Sequence, residues 1–259
     1  MPSLIFVSPS AVYPKDNFSF KETNNSVLFS FGKSYSKDNS NKGNGSSLKL
    51  ESKFSYYLNE SLLSFNASYE NKSLNISSNG KDIGKEKSRQ LEIDALVAKV
   101  YKNISFGGGG YFSKTSADLE RDIVKVNHSR SSVGWKASLN VSYKRILGKL
   151  SCINAIGSFK NIVKIPSLSY ENDSDGNYSK FLWELSLEGN YKNVELYSRL
   201  RHIAEKYPDS SKTIEYLVRT GYPLEDSVNL FLEIKNGKKE SQNNETKNSS
   251  IRVGVEAGF

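Results

Sequence analysis

The sequence predicts an all-β protein, a single antiparallel up-and-down β-barrel of about twelve strands that spans a membrane. Three observations carry this prediction. Segments in which apolar and polar residues alternate recur along most of the 259 residues, and a period of two is that of a β-strand. The connections between these segments are alternately short and long. The chain ends on one more alternating segment, 251–259 (IRVGVEAGF), whose apolar residues share one face.

Composition separates this prediction from a helical membrane protein. Apolar residues make up 37% of the chain and the mean hydropathy is −0.54, so no segment approaches the roughly 20 apolar residues that a transmembrane helix needs. A transmembrane barrel avoids this requirement because only every second residue of each strand faces lipid. The 15 tyrosines and 13 phenylalanines suit aromatic girdles at the two membrane interfaces and equally suit a soluble all-β core.

Few residues suit metal binding, and the positive charges are not clustered. Cys152 is the one cysteine, which excludes an internal disulfide, and His128 and His202 have no near partner at metal-ligand spacing. We therefore expect no metal and no cofactor. The formal net charge is +8, but its lysines are spread through Ser- and Asn-rich stretches, so we expect no nucleic-acid partner.

We divide the chain into an N-terminal lead-in, residues 1–25, and the barrel, residues 26–259. The lead-in contains a short apolar run, 4–7, without a basic start. This run is either the remnant of a signal peptide or ordinary chain. Whether residues 1–11 belong to the mature chain is left open.

Six strand-like segments form the first half of the predicted barrel. The clearest is the sixth, in which Val133, Trp135 and Leu139 alternate with Lys136 and Asn140. The fifth contains four consecutive glycines that permit sharp bending or close backbone approach; no Lys-Ser/Thr pair follows them, so they are not a phosphate-binding loop. The six segments are 27–35, 48–58, 62–70, 90–101, 104–113 and 133–143.

Six more segments form the second half. In the eighth, Leu185 and Leu187 share the apolar face while Glu184 and Glu188 share the other. The seventh is strand-like, but its facing is ambiguous. These segments are 150–159, 181–191, 194–202, 214–222, 228–234 and 251–259.

The connections decide between a barrel and a soluble sandwich. Short connections follow the even-numbered segments, for example around residue 102 and around residue 192, whereas long polar ones, such as 71–89 and 114–132, follow the odd-numbered segments. This alternation predicts short periplasmic turns and long outer loops, with both termini on the short-turn side. A soluble sandwich gives no reason for it.

The final segment carries a resemblance to a known class. Val253, Val255, Ala257 and Phe259 form its apolar face, and the chain ends on the phenylalanine. The stretch resembles the closing strand of bacterial outer-membrane barrels, whose final residue is typically Phe and which the barrel-assembly machinery recognises. Ala257 departs from that signal, which often carries Tyr at this position. The resemblance implies the outer membrane of a Gram-negative bacterium, with its lipids, its lipopolysaccharide and that machinery as partners.

The polar faces of the segments predict a charged lumen. In strand number, length and the arginines of the late strands, the chain resembles small monomeric channels of the oligogalacturonate and sialic-acid type, although no motif is shared. This resemblance implies a narrow porin-like channel for small hydrophilic solutes, with anionic solutes preferred. The candidate lumen-lining and selectivity residues are Arg199, Arg201, Arg219, Arg252, Lys136, Glu184 and Glu188.

Two alternatives stay open. Ion pairs such as Glu184 with Arg201 would bridge the lumen and give a non-conducting structural or adhesion barrel. An outer-membrane lipid hydrolase would need serine, base and orienting group within hydrogen-bond reach. His202 shares a face with Ser198, but the His-x-Ser spacing of the outer-membrane phospholipases is absent, so we expect no catalytic residues and no enzyme. The transported solute and the oligomeric state are left open.

Overall fold

The computed structural model describes residues 25–58, 60–121, 123–191, 194–207, 209–225, 227–241 and 244–259. The lead-in predicted at 1–25 therefore lies outside the described residues, apart from Asn25. Within the described ranges, no helix is long and apolar enough to cross a membrane.

Twelve antiparallel strands form a closed barrel in which each strand pairs with its neighbours in sequence and β1 pairs with β12. This confirms the predicted fold class and strand number. The strands are β1 Ser26–Lys37, β2 Asn41–Leu58, β3 Ser61–Ser78, β4 Lys81–Tyr101, β5 Ile104–Arg121, β6 Val124–Tyr143, β7 Ile146–Ile165, β8 Tyr170–Tyr191, β9 Val194–Tyr207, β10 Asp209–Glu225, β11 Val228–Ser241 and β12 Asn244–Gly258.

The seam between the first and last strands closes the barrel. It runs from Ser26 opposite Gly258 to Lys37 opposite Lys247. The backbone amide of Phe259 extends it by donating a hydrogen bond to the carbonyl oxygen of Asn25 at 3.0 Å. Each strand is thus paired on both sides, which is how a barrel satisfies its backbone hydrogen bonds in lipid.

The outer wall carries an apolar belt on the short-turn half of the barrel. Leu139 and Leu185 are each 43% exposed there, and Trp135 is 50% exposed. Between them, the alternate side chains such as Lys136 and Glu184 point to the interior. Exposed apolar side chains on every strand of a closed sheet match the lipid-facing surface of a membrane barrel, as the alternation predicts.

The prediction of long outer loops is wrong. β8 begins at Tyr170, whereas its alternating pattern begins only at Phe181, and the connection before it contains residues 166–169, of which Pro166–Leu168 form a 3₁₀ helix. The polar stretches are strand extensions that continue the pairing beyond the apolar belt. The outer face of an extension meets water in place of lipid, so the apolar outer side chains stop although the backbone stays extended and hydrogen-bonded, while inner side chains such as Leu74 and Ile76 stay buried.

The glycine run in β5 brings two strands close together. A Cβ atom at Gly107 or Gly109 would overlap the backbone oxygen of Val97 or Ala95 on β4. The approach is one that only glycine allows at these two positions. The run therefore serves close backbone packing.

Candidate functional site in the barrel lumen

The interior of the barrel is polar and contains a cavity of about 400 Å³. The described residues around it include eleven basic and seven acidic side chains. The basic residues are Lys49, Lys53, Arg130, Lys136, Lys149, Lys180, Arg199, Arg201, Arg219, Lys235 and Lys239, and the acidic ones are Glu51, Glu70, Glu92, Asp94, Glu184, Glu205 and Glu215.

One group of contacts, which we call the Glu92 network, crosses the lumen. The Tyr111 hydroxyl donates to Glu92 Oε1 at 2.8 Å, and Lys180 Nζ donates to the same oxygen at 3.4 Å. Arg201 Nη1 donates to the other oxygen, Oε2, at 3.4 Å. β4, which carries Glu92, and β9, which carries Arg201, lie five positions apart in the ring of twelve strands. These contacts therefore join nearly opposite walls.

Glu184 completes the Glu92 network. Arg201 Nε donates to its Oε2 at 3.0 Å, and Arg201 Nη2 lies 2.9 Å from the same oxygen, so this is a charge-assisted contact through one carboxylate oxygen. Arg199 lies farther away, with its Nε 3.9 Å from the same oxygen. The pairing of Glu184 with Arg201 that the sequence suggested is present.

A second group, the Glu233 network, joins β2, β3, β10, β11 and β12. Arg219 Nη2 donates to Glu233 Oε2 at 2.6 Å and to Glu51 Oε2 at 3.0 Å. Arg252 Nη1 donates to Glu233 Oε1 at 3.0 Å, and Arg252 also pairs with Glu70. Glu233 and Arg252 are each only 1% exposed. Buried charges of this kind are tolerated because each one meets opposite charge.

Aromatic rings narrow the lumen beside the Glu233 network. The guanidinium carbon of Arg219 lies 4.9 Å from the centroid of the Phe231 ring and 5.6 Å from that of Tyr197. Lys53 Nζ, from β2, lies 5.8 Å from the Tyr197 centroid. Cation–π contacts of this length are favourable when partly desolvated, and they fill the space between β2 and β9.

The two remaining predicted lumen residues also lie on the inner face. Lys136 donates to Asp94 Oδ1 at 2.9 Å. Glu188 accepts from Lys149 at 3.4 Å, near the short-turn end of the barrel. All seven candidate lumen residues thus point inward, and a role in selectivity stays a prediction for each of them.

Sequence reasoning missed several members of the site. Tyr111 follows the four glycines of β5. Because glycine has no side chain, this stretch shows no alternation of apolar and polar residues from which the facing of Tyr111 could be predicted. Arg130 and Glu205 pair at 2.8 Å, but both lie in stretches that the sequence assigned to loops. Only a strand assignment that extended beyond the apolar pattern would have found this pair.

The predicted assembly signal lies on the outer face of β12 and at the residue that follows it. Val253 and Val255 are 52% and 42% exposed. The Phe259 ring packs edge-on against Phe54 of β2, with centroids 5.8 Å apart. Recognition of Val253, Val255, Ala257 and Phe259 by the barrel-assembly machinery stays a prediction.

The histidines do not form a hydrolase site with Ser198 or with Ser129, the serine next to His128 in the sequence. His202 faces outward and stacks on Trp183 at 5.7 Å between centroids. Ser198 lies four residues along the same strand, about 13 Å away at the rise of an extended chain, which is beyond hydrogen-bond reach. His128 and Ser129 are adjacent in β6 and therefore point to opposite faces. In the described ranges, no group of three or more His, Cys, Asp or Glu side chains is arranged to hold a metal.

Comparison with known proteins identifies the fold but no sequence family. No family model matches the chain, and no curated protein matches its sequence. Several solved structures are similar, including two autotransporter domains and one outer-membrane channel. The translocator domain of the autotransporter NalP from Neisseria meningitidis has a TM-score of 0.61 at 12% identity, covering 91% of this chain and 89% of that one. The β-domain of the Bordetella autotransporter BrkA has a TM-score of 0.60 at 10% identity, covering 92% and 100%.

The third similar structure is an outer-membrane channel from Pseudomonas putida F1. It has a TM-score of 0.58 at 12% identity, covering 92% of this chain and 96% of that one. The closed twelve-stranded sheet, its apolar belt and these neighbours define the class of protein: the chain has the fold of the bacterial outer-membrane β-barrels, as the sequence predicts.

Proposed function

We propose that the barrel is a narrow channel for small hydrophilic solutes and that it favours anions. The observation that carries the proposal is the cavity of about 400 Å³ with eleven basic and seven acidic side chains around it. The excess of basic side chains is local to this cavity, since Glu188 and Glu233 point into the lumen outside it. Within the cavity, an excess of one charge raises the local concentration of the opposite ion. The similar structure from Pseudomonas putida F1, itself an outer-membrane channel, supports a conducting role for a barrel of this fold.

The two networks set the size limit of the passage. The Glu92 network joins β4 to β9, and the Glu233 network joins β10 to β2. A solute has to pass beside these contacts or displace them. We therefore expect a low conductance and exclusion of larger solutes.

Arg199 and Lys53 are the cations to which we assign the anion preference. Arg201 and Arg219 each contact two carboxylates, which offset their fields. Arg199 shares Glu184 with Arg201 at the longer distance of 3.9 Å, and Lys53 lies over the ring of Tyr197. Arg199 is therefore less closely paired with carboxylates than Arg201 and Arg219, and the described contact of Lys53 is with an aromatic ring.

Single-channel recording in planar bilayers, with reversal potentials measured under a KCl gradient, tests the proposal. The wild-type protein is expected to pass small currents that favour chloride. The variant K53Q/R199Q is expected to shift the reversal potential toward cations. A matched control, K99Q/K247Q, removes two exposed lysines from the outer wall and should leave the reversal potential unchanged. Heat-modifiable gel migration verifies that each variant is folded.

One alternative is favoured by a specific observation, the crossing of the lumen by ion pairs. A barrel closed in this way at all times would serve structure or adhesion and conduct nothing. Folded wild-type protein without conductance supports that alternative and contradicts the channel. A conducting protein whose selectivity the K53Q/R199Q variant leaves intact keeps the channel but contradicts the role of these two cations.

A further inference from the structure

Two adjoining hollows lie on the outer wall, over strands β5 to β9. Their volumes are about 800 Å³ and 600 Å³, and Ser131, Ser158 and Asn177 line both of them. These three residues are neighbours across β6, β7 and β8: Ser131 lies opposite Ser158, and Ser158 lies opposite Asn177. The row of short side chains leaves a depression between larger ones. This depression lies at the edge of the apolar belt that is farther from the short turns.

The margin of the hollow on the belt side is apolar. Phe112 lies opposite Val133, and Val133 lies opposite Ile156. Val133 is 58% exposed and Ile156 is 69% exposed. All three line the larger hollow. This margin offers an apolar surface to hydrocarbon chains.

Three outward lysines border the hollows. Lys114 and Lys160 line the smaller one, whereas Lys206 lines the larger one and is level with Ile156, because Ser179 lies opposite both. Lys114 lies opposite Ser131.

Lys160 pairs with Asp173 at 2.7 Å, and this hydrogen bond raises the pKa of Lys160 above its ordinary value. Asp175 also lines the smaller hollow and lies opposite Lys160, so Lys114, on β5, is the lysine of this hollow that lies away from these carboxylates.

We propose that this hollow binds a phosphorylated lipid of the surrounding membrane, with the phosphate held by the lysines and the acyl chains on the apolar margin. Ammonium groups and phosphates form charge-assisted hydrogen bonds. β5 and β7 lie about 10 Å apart, so Lys114 and Lys160 flank one headgroup in the smaller hollow, and Lys206 lies at the apolar margin of the larger one. The apolar margin selects a lipid over free phosphate, because inorganic phosphate gains nothing from Phe112, Val133 and Ile156.

Native mass spectrometry of the detergent-solubilised barrel tests the proposal. The protein is titrated separately with phosphatidylglycerol, phosphatidylcholine and inorganic phosphate. We expect discrete binding of phosphatidylglycerol at least 10-fold tighter than that of phosphatidylcholine, a difference of about 1.4 kcal/mol. Inorganic phosphate at the same concentrations should neither bind nor compete.

Two variants locate the binding. K114Q/K160Q/K206Q should lower the affinity for phosphatidylglycerol about 10-fold, whereas the control K85Q/K125Q/K247Q, which removes three lysines elsewhere on the outer wall, should change it less than about 2-fold. Ser158→Phe fills the hollow without altering charge and should weaken binding as well.

Three results would overturn the lipid site. Equal loss in both triple variants would show general electrostatic attraction. Full binding by Ser158→Phe would place the lipid elsewhere. Equal competition by inorganic phosphate would make the lysines a site for free phosphate.

Discussion

Strand β8 contains two regions that differ in sequence but share one backbone structure. Residues 181–191 alternate between apolar and polar, whereas residues 170–180 (YENDSDGNYSK) are almost entirely polar. Both regions pair with β7 in one unbroken register, from Ile146 opposite Gly189 to Ile165 opposite Tyr170. The difference shows that pairing with a neighbour decides where a strand ends, while the alternation of side chains reports only which part of the strand meets lipid.

One test removes a carboxylate from the belt half of the barrel and, as a control, another from a strand extension. Glu233 lies inside the belt half and contacts Arg219, Arg252 and Lys49. Glu233→Gln leaves these buried cations without their shared partner, and we expect it to lower the free energy of unfolding by about 3–5 kcal/mol. Urea unfolding in lipid vesicles measures this.

The matched control for Glu233 lies in an extension. Glu245 is paired with Lys238 and Lys247 at 2.9 and 3.3 Å, but water screens these contacts. Glu245→Gln should leave stability unchanged within error. Equal effects of the two substitutions would contradict the distinction between the belt half and the extensions.

A second test places an arginine on the outer face of β3, once in the apolar belt and once in the polar extension. Phe65 is 41% exposed in the belt, and Asn75 is exposed in the extension. Phe65→Arg should cost about 2–4 kcal/mol because the guanidinium meets hydrocarbon, whereas Asn75→Arg should cost about 0–1 kcal/mol. The same unfolding assay compares them. A tolerated Phe65→Arg would mean that the belt does not face lipid.

The smallest effects are expected at the turns that join strands at the two ends. Gly80 lies in the outer turn between β3 and β4 and has a φ of +78°. Lys102 lies in the short turn that joins β4 to β5 and has a φ of +50°. Gly80→Ala should cost about 1–2 kcal/mol because only glycine adopts left-handed backbone freely. Lys102→Gly should stabilise by less than about 1 kcal/mol. Effects of the same sign at both turns would contradict this account.

Much of the belt half was predictable from the sequence, because lipid on one face imposes strict alternation. The predicted ends at Tyr101, Tyr143 and Tyr191 are the observed ends of β4, β6 and β8. The extensions were not predictable in the same way, since an outer face that meets water carries no row of apolar side chains. Their Ser- and Asn-rich composition is typical of loops, and only neighbouring strands hold them extended.

The lumen was predictable where it depends on adjacent strands. Glu184 lies directly opposite Arg201 in the β8–β9 pairing, so the facing of two segments was enough to suggest this contact. The contact of Arg219 with Glu51 joins β10 to β2, and it depends on the tilt and closure of the whole barrel. The alternation of apolar and polar residues shows which face of the sheet a residue lies on, but not its position along the barrel axis. Contacts across the lumen could therefore not be predicted from the sequence.

The seam between β1 and β12 has a consequence for the order of folding. The Ser26 hydroxyl donates to Glu256 Oε1 across 230 residues of chain at 2.7 Å. The other strand pairs are hairpins, whose partners meet after a short search. Loop-closure entropy grows with the logarithm of length, so joining ends this far apart costs about 2 kcal/mol more than closing a hairpin of about 20 residues. We therefore expect the hairpins to form first and the seam to close last.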